Sequence, residues 1–154
     1  MEDDMKRSIM VIGVISLAIA LTVPALAGNL RKEIGEARYD LAVQNLFNGV
    51  SSENEGLRVG SIYQLGELQA EDAVIPLMSV LRNNIDENSR LAAAWALCRI
   101  GDSRGTYAVK QAALSDQSEK VLLHSAWYYN LYVSAGTFVF KTSANSPTQI
   151  AEVR

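Results

Sequence analysis

The chain has 154 residues, of which 49% are hydrophobic and 20% charged, and a formal net charge of −3. That is the size and usage of a single globular domain. The charge balance, with no run of Lys or Arg, excludes the dense basic patch that nucleic-acid phosphates require. The single Cys, Cys98, excludes a framework of intramolecular disulfides.

The first element in chain order is an address. Lys6 and Arg7 precede an uncharged apolar run from Ile9 to Val23, and Ala25-Leu26-Ala27 follows as a small-residue cleavage site. Positive start, apolar middle and A-x-A end together predict a secretory signal, residues 1–27, of bacterial type and cleaved after Ala27. Glu2-Asp3-Asp4 is acidic where such segments are basic, so Met5, followed by Lys6-Arg7-Ser8, is the expected start. The competing reading is an uncleaved anchor, because Ser8 to Ala27 is about long enough to span a bilayer as a helix. Cleavage is favoured by Pro24 and the A-x-A site, and it places the mature chain in the periplasm or outside the cell. No Cys adjoins Ala27, so a lipoprotein anchor is excluded. Removing the segment takes away Glu2, Asp3, Asp4, Lys6 and Arg7 and changes the net charge only from −3 to −2.

Residues 28–136 carry a repeat. Leu57 to Leu65 lies on Ser89 to Leu97 at a shift of 32 without a gap. Arg58 meets Arg90, Tyr63 meets Trp95, Leu65 meets Leu97 and Leu68 meets Ile100. A second shift of 32 brings Val121 to Trp127 into line, with Ser61, Ala93 and Ser125 in one column and Tyr63, Trp95 and Trp127 in another. Between the copies lie further apolar helices. Val74, Leu77, Met78 and Leu81 follow the i, i+3, i+4, i+7 pattern of one helix face, and Pro76 sits in the first turn, where a missing N–H matters least. Tyr107 to Leu114 is a similar stretch, and Tyr39 to Val50 has the same character. Loop clusters at 51–54, 83–84, 86–89 and 115–118 separate them and supply Ser and Asp for helix caps. The expected order is helix, turn, helix, loop, repeated. Gly60, Ser61, Ala92, Ala93, Ala94, Ser125 and Ala126 are small enough to let neighbouring helices approach closely.

These residues resemble HEAT repeats. Arg90, Ala93, Ala94, Ala96, Leu97 and Ile100-Gly101-Asp102 follow the pattern of apolar residue, Arg, small residues, Ala-Leu and Gly-Asp. Leu57-Arg58, Ser61, Leu65 and Gly66 follow its first part. The likeness covers about residues 39–135 and is similar to the short bacterial HEAT-like repeats found also in phycobilin lyase subunits. It implies an all-α fold, a short α-solenoid of antiparallel helix pairs with about three repeats. It also implies that Arg58, Arg90 and Asp102 tie neighbouring repeats together. The third copy has Leu122 in the Arg column and no Gly-Asp, so it is expected to be a terminal cap.

Little in the chain suggests chemistry. His124 is the only His, and Cys98 is about 26 residues away, so neither a zinc site nor a nucleophile–base pair is indicated. No metal and no cofactor are expected. The paired carboxylates at Glu53/Glu55, Glu71/Asp72 and Asp86/Glu87 fall at helix starts, where they suit capping and the helix dipole. The aromatic group Trp127, Tyr128, Tyr129 and Tyr132 is the candidate partner-binding site. At about 100° per residue these rings point to several sides of one helix. Trp127, in the ring column, is expected to face the core. The others are either part of a cap, with Thr137 to Lys141 folding back on them, or a patch for a partner. Residues 137–154 are read as a C-terminal tail, flexible from about Thr142 onward because of their polar composition.

The expected function is a non-enzymatic protein-interaction or scaffolding module outside the cytoplasm, with a protein partner and without membrane contact once the signal is removed. Two alternatives remain. By family analogy the chain is a chromophore lyase or lyase subunit. By its short stack and aromatic end it is a structural piece of an envelope assembly that self-associates.

Overall fold

Four of the described helices begin where a loop side chain takes over backbone donors that the first turn leaves unpaired. Asn54 accepts from the Leu57 N–H and opens the helix Glu55–Glu67, and Asp86 accepts from the Asn88 and Ser89 N–H groups and opens the helix Glu87–Ile100. Asp102 accepts from the Arg104 N–H and opens the helix Ser103–Ser115, and Ser118 accepts from the Val121 N–H and opens the helix Glu119–Tyr132. The computed structural model describes residues 32–33, 35–143 and 146–153. Its elements are α1 (Glu36–Val50), α2 (Glu55–Glu67), a 3-10 turn (Glu71–Ala73), α3 (Val74–Asn83), α4 (Glu87–Ile100), α5 (Ser103–Ser115), α6 (Glu119–Tyr132), β1 (Phe138–Ser143) and β2 (Ser146–Glu152). The secretory signal expected at residues 1–27, and the start expected at Met5, lie outside the described residues. Among the described residues no helix is long and apolar enough to cross a membrane.

The chain divides into two units, Met1–Leu41 and Ala42–Arg154. The described part of the first includes the opening of α1, where the Tyr39 N–H donates to the Gly35 carbonyl at 3.1 Å. The second unit is a short all-α solenoid ending in a hairpin. Consecutive helices pack side by side, α3 with α4, α4 with α5 and α5 with α6. In one layer α2 packs on α4 and α4 on α6, and in the other α3 packs on α5.

The centre of the stack is α4. Ser89, Leu91, Ala92, Ala93, Ala94, Ala96, Leu97 and Cys98 are all buried, so the helix is covered nearly all round. Its alanines make this possible by letting neighbours come close. The tightest approach is at Gly66 of α2, where a Cβ would lie 2.7 Å from a ring carbon of Trp95 and 2.8 Å from the Ala96 Cα. Around α4 the fully buried side chains Ile62, Leu65, Val74, Leu77, Val109 and Val121 complete the core. Gly101 ends α4 in the left-handed conformation (φ 78°), a position that favours glycine.

Two arginines lock the repeats in register. Arg58 donates from Nη1 to the Ser52 carbonyl (2.7 Å), from Nε to Ser89 Oγ (2.7 Å) and from Nη2 to Asp86 (3.2 Å). Arg90, one repeat later, donates to the Asn84 carbonyl (2.9 Å) and grips Asp116 with two bonds of 3.1 Å. Each arginine thus closes the loop before its own helix and holds the loop before the next. The carboxylate partner slides by two residues between copies. Asp86 is itself the cap of α4, whereas Asp116 lies two residues before the cap Ser118 and accepts the Ser118 N–H (2.8 Å). Asp102, which the resemblance makes an inter-repeat tie, instead bonds locally to the side chain and backbone of Arg104. That pairing lowers its carboxyl to about 2. The reason is reach: as the cap of α5, Asp102 is turned toward its own first turn.

The largest departure from expectation is at the C-terminus. Residues 137–154, read as a tail that is flexible from about Thr142 onward, contain two antiparallel strands pairing Phe138 with Glu152, Val139 with Ala151 and Phe140 with Ile150. The hairpin stands where the second helix of a third pair would follow α6. Phe138 is buried against Ala113 and Ala126, and the Asn130 side chain satisfies its backbone at both ends (2.9 Å from the N–H, 2.8 Å to the carbonyl). Lys110 of α5 reaches Glu152 of β2 at 2.6 Å. A pattern of β-branched and aromatic residues over 137–140 suits a strand, and the second strand is organised by the first rather than by its own composition.

Two stability outcomes follow from this packing. Gly66→Ala is expected to lower stability by about 1–3 kcal/mol in urea unfolding, because a backbone and a large ring must move. Gly60→Ala, where a Cβ meets nothing within 4 Å, is expected to raise it by about 0.5–1 kcal/mol; equal effects would mean that the approach at Gly66 is not a constraint.

The Asp86 carboxyl supplies the second outcome. Burial alone would raise it, but the bonds from Ser89, Arg58 and the Ser89 and Asn88 amides outweigh burial and hold it below the usual carboxylate range. A depressed acid stabilises the fold fully above its unfolded value, about 4, and loses that contribution as pH falls through the folded value. Asp86→Asn should therefore cost about 1–3 kcal/mol near neutral pH, with the gap to wild type closing below about pH 4 in acid titrations of stability.

Candidate binding surface

The surface formed by α2, α4 and α6 follows from the phase of the repeat. On α6 the buried set is Val121, Ser125, Ala126 and Tyr128. The small-residue column Ser61, Ala93, Ser125 is interior. A residue two positions further along a helix is turned by about 200°, so the ring column Tyr63, Trp95, Trp127 is directed away from the core. Trp127, expected inside, is 53% exposed, and Tyr128 takes the buried place at 9%. Both columns are visible in the sequence, and their two-residue offset is the signal that separates them.

The rings form a connected strip. Tyr63 and Trp95 pack at a tilt of 57° with centroids 5.0 Å apart, and the Arg99 guanidinium lies 5.6 Å from the Trp95 ring and 5.8 Å from the Tyr132 ring. Glu67 pairs with that guanidinium at 3.2 Å, so α2, α4 and α6 each contribute to one arrangement of cation, rings and carboxylate. Trp127 packs on Tyr128 at 5.4 Å, and Tyr128 in turn faces His124 at 6.1 Å. Burial pushes the Tyr128 hydroxyl up, with neighbouring Tyr63 and Tyr132 adding to the effect. Leu131 and Tyr132 (41% exposed) extend the strip toward the end of α6.

The four rings of α6 therefore divide. Trp127 and Tyr132 are on the surface, Tyr128 supports them from below, and Tyr129 turns to the other side, edge-on to Phe138 of the hairpin at 5.6 Å. Sequence reasoning missed Tyr63, Trp95 and Arg99 as members of the surface. On the opposite layer a groove of about 650 Å³ runs between α3 and α5, lined by Met78, Arg82, Tyr107, Gln111 and the Arg90–Asp116 pair. Ile85, 99% exposed, stands at its edge.

The reactive residue types are placed as follows. Cys98 is buried in α4, and burial pushes its thiol up to about 12, so it is a neutral packing group. His124 Nδ1 donates to the Lys120 carbonyl of its own helix at 2.8 Å. Among the described residues no three His, Cys, Asp or Glu side chains are grouped so as to hold a metal ion.

A family model for HEAT repeats matches residues 41–129, more than half of the chain. The chain belongs to the HEAT-repeat family. No curated protein matches it. The matched span begins in α1 and ends within α6, so the hairpin lies beyond the HEAT-type portion, and the arginine clamps, the alanine-rich α4 and most of the ring strip lie within it.

The division of the α6 rings has a measurable consequence. Trp127→Ala should change stability by less than about 1 kcal/mol, whereas Tyr128→Ala should cost about 2–4 kcal/mol. Thermal and urea melts of the two variants check this, and a costly Trp127 would put that ring back into the core.

Proposed function

We propose that this HEAT-repeat protein is a protein-binding module that acts outside the cytoplasm and carries no catalysis of its own. The observation that carries the reading is the exposed aromatic strip on α2, α4 and α6. Large rings are costly to leave in water and are enriched where proteins bind one another. Here Trp127 and Tyr132 are exposed at its end while Tyr128 and the Arg99–Glu67 pair hold the strip in place. A strip anchored in this way loses little side-chain freedom on binding, which favours affinity. The buried Cys98 and the capping positions of the acidic residues fit a binding role.

Export is supported by the sequence from Lys6 to Ala27: a basic start, an apolar run and a cleavage site. The mature protein on this reading begins at Gly28 and meets its partner in the periplasm or beyond.

The test is capture of partners by the mature chain from an envelope fraction, comparing wild type with Trp127→Ala and Tyr132→Ala. Both substitutions are expected to reduce the captured partner roughly tenfold, as exposed aromatic anchors do, with circular dichroism melts close to wild type. Unchanged capture by folded variants would overturn the strip as the interface. Edman sequencing of the exported protein is expected to begin at Gly28, and an intact N-terminus would overturn cleavage.

A further inference from the structure

The aromatic face contains one motif twice. In the first instance the chain supplies every part: the Arg99 guanidinium sits over Trp95 and Tyr132 and pairs with the Glu67 carboxylate at 3.2 Å. The second instance is a small pocket of about 330 Å³ at the other end of the same three helices. Its walls include the rings of Tyr63 from α2 and Tyr128 from α6, and Glu55 stands at the first turn of α2. Among the described residues no guanidinium completes this second set.

We propose that the pocket accepts an arginine side chain presented by a protein partner. The inference rests on the face of α2, α4 and α6 being the protein-binding surface, and it names the chemistry of what is bound there. Three features point to a guanidinium. First, Glu55 lines the pocket and accepts an N–H from the Asn88 amide at 2.7 Å, but forms no ion pair among the described residues, so its carboxylate can still take a cation. The Lys120 ammonium pairs with Glu87 at 3.2 Å and reaches Asn88 Oδ1 at 3.5 Å, so Asn88 stands between it and the Glu55 carboxylate. Second, the His124 ring, also in the wall, uses Nδ1 as a donor to a carbonyl. In the neutral ring Nε2 then carries no hydrogen and can only accept. The pocket thus offers a carboxylate, a ring nitrogen acceptor and aromatic faces, a set that suits a planar cation rich in N–H donors. Third, the volume is near the lower limit for ligand sites, which suits one side chain rather than a larger molecule.

A lysine ammonium would meet the same charge but would use neither the flat stacking on Tyr63 nor the fork toward Glu55. A quaternary ammonium could be held by the rings but brings no N–H for Glu55 or His124. The choice of arginine therefore depends on rings and acceptors acting together.

The test uses the mature chain and the peptide acetyl-Ala-Arg-Ala-amide, followed by the amide and side-chain NMR signals of Gly56, Tyr63, Asn88 and His124. The matching peptide with citrulline has the same shape without the charge. Saturable shifts in the millimolar range are expected with arginine, with affinity for citrulline lower by about tenfold. Glu55→Gln, which keeps an acceptor for Asn88, should weaken arginine binding by about fivefold or more, and Tyr63→Phe should retain it while Tyr63→Ala abolishes it. Equal shifts from citrulline, or from choline, would overturn the proposal, as would binding indifferent to Glu55→Gln in a variant with wild-type circular dichroism. The short peptide probes the pocket without Trp127 or Tyr132. Loss of peptide binding with partner capture intact would therefore defeat this inference alone, and loss of capture with peptide binding intact would defeat only the role of the strip.

Discussion

The structure depends on how closely other helices can approach α4. A helix flanked by four others must be thin, and α4 achieves this with Ala92, Ala93, Ala94 and Ala96, all fully buried. Larger side chains there would push α2 and α6 apart and open the core on both sides, since interiors are packed to near crystalline density. Gly66 is the complementary feature on α2, where no Cβ separates the backbone from the Trp95 ring and Ala96. The ring strip exists because of that approach: Tyr63 and Trp95 meet at 5.0 Å only because their helices are close.

Register between pairs is held by polar contacts of a repeating kind. Arg58 and Arg90 each bond a carbonyl of the preceding loop and a carboxylate of the following one. On the opposite ends of the helices Arg99 bonds Glu67. These groups are half-buried rather than fully desolvated, so their contacts fix position more than they add stability. They also explain why the third copy can do without an arginine. Leu122 occupies the column, and among the described residues no further helix pair follows for it to hold. The hairpin closes the stack there, with Phe138 in the core and Asn130 satisfying the backbone of β1. An edge strand is an open template for pairing, and a side chain bonded to both backbone groups of Phe138 blocks part of it.

The same fold that buries one side of each first-layer helix presents the other as a continuous surface. Arg99 with its two rings and Glu67 stands at one end of that face, and Glu55 with Tyr63 and Tyr128, a carboxylate and rings without a guanidinium, at the other.

The sequence by itself determined the helix pairs and their period, because apolar spacing, caps and the arginine column are local properties repeated at 32 residues. It also marked the aromatic residues of α6 as the unusual feature. Only the tertiary structure decided which of them face outward. Trp127 and Tyr128 are adjacent in sequence and equally bulky, and they part company because Ser125 and Val121 turn one flank of α6 toward α4. Tertiary packing also decided the fate of the C-terminal residues. A strand such as Ser146–Glu152 has little signal of its own, and it forms because Phe138, fixed in the core, offers its neighbour a partner to pair with. The slide of the clamp acid from Asp86 to Asp116 has the same origin. A long arginine can reach either position, so geometry rather than spacing selects the one that is used.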